Sequence, residues 1–207
     1  QDQRRFLLRR NDKQNKQTMK NILLLLLLFT GIVNGQIINF PDANFKAKLL
    51  SANASNGIAG NFLGEYCTID INNNGEIEVT EALAIRSIIV KNPYNDSPPI
   101  TDLTGIESFT NLLSLDCSSN QLTTLDVSAL TNLQSLYCYS NRLTSLHLGN
   151  LTSITYLICF TNQLTELNVS NLSNITSLQC GSNLLTTLDL SGLTQLTSLG
   201  CQGNLFS

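Results

Sequence analysis

Twelve residues from Asp70 to Glu81, Asp-Ile-Asn-Asn-Asn-Gly-Glu-Ile-Glu-Val-Thr-Glu, place oxygen-bearing groups at positions 1, 3, 5, 7, 9 and 12. Hard oxygen donors at that spacing suit a calcium ion. Asp70, Asn72 and Asn74 offer side-chain oxygens, Glu76 its backbone carbonyl, Glu78 a contact through water, and Glu81 a bidentate carboxylate. Gly75 permits the sharp turn, and Ile77 falls at an inward apolar position. The same letters also read as an Asn-Gly turn followed by a helix start. Asn at two ligand positions lowers the charge of the loop, so the expected affinity is on the order of 10⁻⁴–10⁻³ M. The expectation is a structural calcium clip rather than a switch.

Other chemistry has little to stand on. His147 is the only histidine, and no Ser-His-Asp, zinc-ligand or phosphate-loop pattern accompanies it. The chain is therefore read as a non-enzyme. Without residues 1–35 the chain holds 5 Lys or Arg (12 − 7) and 13 Asp or Glu (15 − 2), a net charge of −8. Nucleic acid is excluded as a partner, because phosphate neutralisation needs clustered basic residues. Five of the six cysteines, Cys117, Cys138, Cys159, Cys180 and Cys201, lie 21 residues apart. That spacing argues for a buried column of free thiols that pack as small hydrophobes. A redox or metal ladder is the weaker alternative.

The cysteines belong to a repeat that organises most of the chain. Copies of a 21-residue unit begin at Thr110, Thr131, Thr152 and Ser173, with a partial copy at Thr194. In the first copy the fixed positions are Leu112, Leu115, Cys117, Asn120, Leu122, Leu125, Val127 and Leu130. The pattern resembles the leucine-rich repeat family. The resemblance implies a right-handed solenoid, β-dominated with little helix on its convex side and a small helical cap at its N-terminal end. Each unit should give a short strand, with Leu115 and Cys117 facing inward at period two. The Asn column, Asn120 to Asn204, should bond backbone groups that the turn after the strand leaves unpaired. The return segment, Leu122 to Ser128 in the first copy, is too short and too rich in Thr and Val for a helix.

Ahead of the repeats, Ile85, Ile88 and Val90 take the places of Leu112, Leu115 and Cys117, so a first strand is expected over 87–91. Residues 92–99 hold three of the four prolines and should form a protruding loop. Ile100 returns the chain to the pattern in the manner of internalin-type turns. Asp42 can cap a helix running to about Ser51, with Phe45, Leu49 and Leu50 on its apolar side. The wording Phe-Pro-Asp-Ala-Asn-Phe-Lys resembles the N-terminal cap of bacterial secreted leucine-rich repeat proteins. Residues 53–61 read as a loop. The 70–81 motif resembles EF-hand and dockerin-like calcium loops, with Thr80 to Ile85 as an exiting helix.

The chain start divides into a polar, basic leader over 1–18 and a signal peptide over 19–35. The signal reading rests on a short basic stretch, an apolar run from Ile22 to Val33 and small residues at the cleavage site. About twelve apolar residues are too short to span a bilayer. The leader is expected to precede the true start at Met19. The cap then occupies 36–84 and the array 85–207, which breaks off within its fifth unit.

Function should come from the positions that vary over the repeat frame. Tyr137, Tyr139, Tyr156, Ile158 and Phe160 fall on the concave columns of two adjacent coils. Exposed aromatic and apolar side chains grouped in this way mark partner sites. The expectation is a secreted or cell-surface module that binds a protein through its concave face. A polysaccharide ligand, or a targeting role within a longer enzyme, are the alternatives.

Overall fold

The computed structural model describes residues 35–94 and 97–206. The leader and nearly all of the signal peptide, residues 1–34, lie outside the described residues. Residues 37–207 form one compact unit.

Six parallel strands recur along the chain and make one sheet. After α1 (Ala43–Leu50), β1 (Ala59–Asn61) and α2 (Val79–Ala82) come β2 (Ile85–Ile89), β3 (Ser114–Asp116) and β4 (Thr124–Asp126). They are followed by β5 (Ser135–Tyr137), β6 (Ser145–His147), β7 (Tyr156–Ile158), β8 (Ser177–Gln179) and β9 (Ser198–Gly200). The large sheet runs β1-β2-β3-β5-β7-β8-β9, while β4 and β6 form a two-stranded sheet on the opposite side. Ser114, Ser135, Tyr156, Ser177 and Ser198 stand in register. The 21-residue repeat is thus one turn of a solenoid, and a residue keeps its column from coil to coil. Leu115, Leu136, Leu157 and Leu178 are fully buried, as are Cys117, Cys138, Cys159 and Cys180. No coil can bury these columns alone, which is why the units stack.

The Asn column holds each turn. Asn162 donates through Nδ2 to the carbonyls of Cys138 at 3.0 Å and Cys159 at 3.0 Å, and its Oδ1 accepts the Leu143 N–H at 3.0 Å. Asn120, Asn141, Asn183 and Asn204 make the equivalent bonds. The residue before each Asn is left-handed: Ser119, Ser140, Thr161 and Ser182 have φ between 52° and 57°, and Gly203 has φ 72°. That conformation is unfavourable for a branched residue such as Thr161. It persists because it turns the chain and aims the Asn inward, where three or more hydrogen bonds hold it.

The first coil departs from expectation in three places. The strand spans Ile85–Ile89 rather than 87–91, with the predicted register kept, since Ile88 pairs with Leu115. It starts earlier because β1 pairs with it antiparallel from the other side. The end of the presumed 53–61 loop is therefore a strand that covers the sheet edge. The helix after the acidic loop stops at Ala82, because Ile85 is drawn into the sheet, and no helix enters the loop from 62–69. The helix–loop–helix frame is absent; only the loop and one exiting turn are formed. Ile100 does rejoin the pattern: its N–H donates to Asn120 Oδ1 at 3.0 Å, as Leu122 does to Asn141.

α1 meets its expectation. Asp42 caps it by accepting from Asn44 and Phe45, and Phe45 and Leu49 are fully buried. The other oxygen of Asp42 accepts from Thr101 N, Thr101 Oγ1 and Asp102 N at 2.7–3.1 Å. One carboxylate thus ties the cap helix to the first coil. Burial pushes its pKa up, but the hydrogen bonds from Thr101, Phe45 and Asp102 outweigh this and hold it below the usual carboxylate range.

Candidate functional site

Strand alternation turns Leu136, Cys138, Leu157 and Cys159 into the core, so Tyr137, Tyr139, Ile158 and Phe160 must stand on the outer face of the sheet. Tyr137 pairs with Asp116 on one side and Ile158 on the other. Tyr139 and Phe160 stack with ring centroids 4.7 Å apart and planes 9° from parallel. The spacing is that of adjacent strands, so the sheet itself sets the stack. These four residues line a depression of about 590 Å³ together with Ile89, Lys91, Ser114 and Asp116. Tyr156, expected as part of the group, is exposed in the serine column and lies outside this depression.

Asp116 shares the concave column of Tyr137 and Ile158 in the repeat frame, whereas Ile89 and Lys91 were not legible as site residues in the sequence. Lys91 and Asp116 form an ion pair at 3.4 Å. Asp116 Oδ1 also accepts from Ser118 N at 3.1 Å and Ser118 Oγ at 2.6 Å. The signal that finds Lys91 is its column, two residues after Ile89, which requires knowing that the irregular first coil keeps register with the repeats.

Beyond β7 the same face changes character. Gln179 bonds to Ser198 Oγ at 3.1 Å, and its side chain occupies the space a Cβ on Gly200 would take. Gln202 lies likewise beside Gly181. The concave sheet is therefore aromatic over its first coils and flat and amide-lined over its last.

A second depression, of about 640 Å³, opens on the convex side among Asp126, His147, Glu166 and Asp189. His147 is exposed, with its ring 3.4–3.5 Å from Ser145 Oγ. Its rim has no aromatic anchor, which makes it the poorer partner site.

The cysteine column is chemically quiet. All six cysteines are free thiols. Burial raises the pKa of Cys117, Cys138 and Cys159 strongly and pushes Cys180 up to about 11. A thiol held protonated is a poor nucleophile and a poor metal ligand, so the column packs rather than reacts.

In the acidic loop, Asp70 accepts from Asn74 N and Gly75 N, Asn72 Oδ1 from Asn74 N, and Asn74 Oδ1 from Glu76 N. Gly75 has φ +79° with open space around it, and Ile77 is fully buried. Glu81 closes the ring by accepting from Ile71 N and Glu78 N, while Glu78 accepts from the amides of Asn72 and Asn74. Burial and the facing Glu78 raise the Glu81 pKa. Among the described residues no three His, Cys, Asp or Glu side chains are grouped to hold a metal. The loop offers an all-oxygen set that fits calcium only if the amide oxygens of Asn72 and Asn74 take part.

Residues 110–150 match the family described as Leucine Rich repeats (2 copies). These residues carry leucine-rich repeats, and the stacked coils form the solenoid of such repeats. The functional domain of InlJ from Listeria monocytogenes, described as including a cysteine ladder, is 30% identical with a TM-score of 0.52. That alignment covers 83% of this chain and 43% of the InlJ domain. A leucine-rich repeat protein of Leptospira interrogans is 28% identical over 50% of this chain and 29% of its own, with a TM-score of 0.48. Internalin C2 of Listeria monocytogenes is 20% identical over 84% of this chain and 80% of its own, also with a TM-score of 0.48. Comparison with curated proteins gives no match. The chain thus spans less than half the length of the first two of these structures. Among the described residues no helix is long and apolar enough to cross a membrane.

Proposed function

We propose that this leucine-rich repeat protein is a secreted or cell-surface module that binds a protein through the aromatic half of its concave face. The observation that carries the reading is the Tyr139–Phe160 stack beside Tyr137 and Ile158. Structural needs explain the Leu, Cys and Asn columns, and they do not explain four large side chains facing outward on neighbouring strands. Interface cores are enriched in such anchors. The likeness to the InlJ domain supports an extracellular setting, as does the apolar run after Met19.

The proposal includes a calcium ion held by Asp70, Asn72, Asn74, Glu78 and Glu81, with the Glu76 carbonyl. Bound there, the ion would supply charge neutralisation and rigidity. The protein's part is to aim the oxygens and to anchor the loop, through the Ile38 N–H to the Ile77 carbonyl at 2.9 Å and Lys46 to Glu76 at 2.6 Å.

The binding reading is tested by replacing Tyr139 and Phe160 with Ser and measuring capture of surface proteins, with a glycan array run in parallel. Loss of protein capture by at least tenfold with unchanged folding is expected. Unchanged capture, or selective glycan binding by the parent protein, overturns it.

A further inference from the structure

The concave depression is a trough with a charged floor. Ile89, Asp116 and Tyr137 are consecutive in register across β2, β3 and β5. With adjacent strands about 4.8 Å apart, Ile89 and Tyr137 stand roughly 10 Å from one another with Asp116 between them. That width admits one inserted side chain. Ser118 fixes one oxygen of Asp116 from below, and the other faces Lys91 at 3.4 Å. Lys91 is half-exposed, and a pair of that kind is weakly held.

We propose that this trough receives an arginine side chain of the protein partner, an inference that rests on the concave-face reading above. A guanidinium displaces Lys91 from the free oxygen of Asp116 while its flat face lies against the aromatic wall of Tyr137 and Tyr139. Arginine suits the place better than lysine. Its planar, weakly hydrated cation stacks on aromatic rings and pairs with carboxylates at once. Charge favours the same sign of partner, since residues 36–207 carry 13 acidic against 5 basic side chains. An acidic partner side chain would meet Asp116 at the floor.

The test is a backbone-amide NMR titration of the protein with N-acetyl-arginine amide, N-acetyl-leucine amide and N-acetyl-glutamate amide as probes. The arginine probe is expected to shift the Asp116, Tyr137 and Tyr139 signals saturably and at least threefold more tightly than the leucine probe. Two substitutions must then move in opposite directions. Asp116→Asn keeps the acceptor for Ser118 and abolishes the arginine preference, whereas Lys91→Met removes the competitor and tightens the arginine probe severalfold. Weaker arginine binding in Lys91→Met, or an unchanged preference in Asp116→Asn, overturns the proposal. A leucine preference overturns it while leaving a binding trough on the concave face. No shift with any probe also overturns it, and the capture experiment with Tyr139 and Phe160 decides the wider reading separately.

Discussion

Asn162 shows how much one side chain does in this chain. It sits at 9% exposure and serves carbonyls of two coils and an N–H of a third segment. Replacing it with Ala leaves those buried groups without partners, each unsatisfied group costing about 1–3 kcal/mol. Asn162→Ala should therefore lose about 3 kcal/mol or more in chemical denaturation. Asn204→Ala should lose less, because its bonds are only partly buried. Equal losses at the two positions would refute the view that burial of the ladder sets its worth. The ladder was legible from the 21-residue recurrence of Asn alone. The left-handed residue before it was not, because Ser, Ser, Thr, Ser and Gly share no chemistry that announces a positive φ. A second Asn set was also missed: Asn111, Asn132 and Asn174 each bond a carbonyl of the preceding coil. Ser153 and Gln195 interrupt that column, so its recurrence is hard to see in the sequence.

At the scale of elements, the cap is held to the array by Asp42, by β1 on β2 and by the acidic loop. Glu78 and Glu81 are both buried, the Glu78 N–H donates to Glu81 Oε2 at 3.1 Å and the two carboxylates repel one another, and no ion pair among the described residues brings them a cation. Calcium would remove that repulsion. At 10 mM calcium and the affinity expected of such a loop, binding contributes about 1.4–2.7 kcal/mol. For a domain of this size the melting temperature should rise by about 3–10 °C. Differential scanning calorimetry in calcium against chelator checks this, with Glu81→Gln expected to abolish the rise. An identical melting temperature in both buffers would count against the ion. The motif is a loop with Ile77 inward, followed by one exiting turn at Val79–Ala82 and preceded by no helix over 62–69. Sheet pairing of Ile85 ends the exiting helix, and the residues ahead of the loop turn back on β1 through Asn61 N–H to the Glu65 carbonyl and Cys67 N–H to the Ala59 carbonyl, pairings that local residue types do not reveal.

Stability is a sum over neighbouring coils, so among the described residues the coil at β9, which pairs with β8 alone, should open first. Leu199 is 43% exposed where its column mates Leu115 to Leu178 are fully buried, and Cys201 is half-buried. Thiol labelling followed by mass spectrometry should modify Cys201 first among the ladder cysteines and Cys180 next. Cys117, Cys138 and Cys159 should stay protected until denaturant is added. Labelling of Cys138 as fast as Cys201 would show that the array opens from within instead.

The sequence by itself determined the scaffold. A 21-residue period with Leu and Cys at alternate strand positions has one way to bury its apolar side, and that way stacks identical turns. Only the tertiary structure decided what lies beside what on the outer face. The irregular first coil places Ser114 27 residues after its partner Ser87, a register that Ile85, Ile88 and Val90 already imply, but the Lys91–Asp116 ion pair, the Tyr139–Phe160 stack and the depression they border are properties of the folded chain. Register is set by hydrogen bonds between strands distant in sequence, and it is register that turns a scatter of Tyr, Phe, Ile, Lys and Asp into one trough.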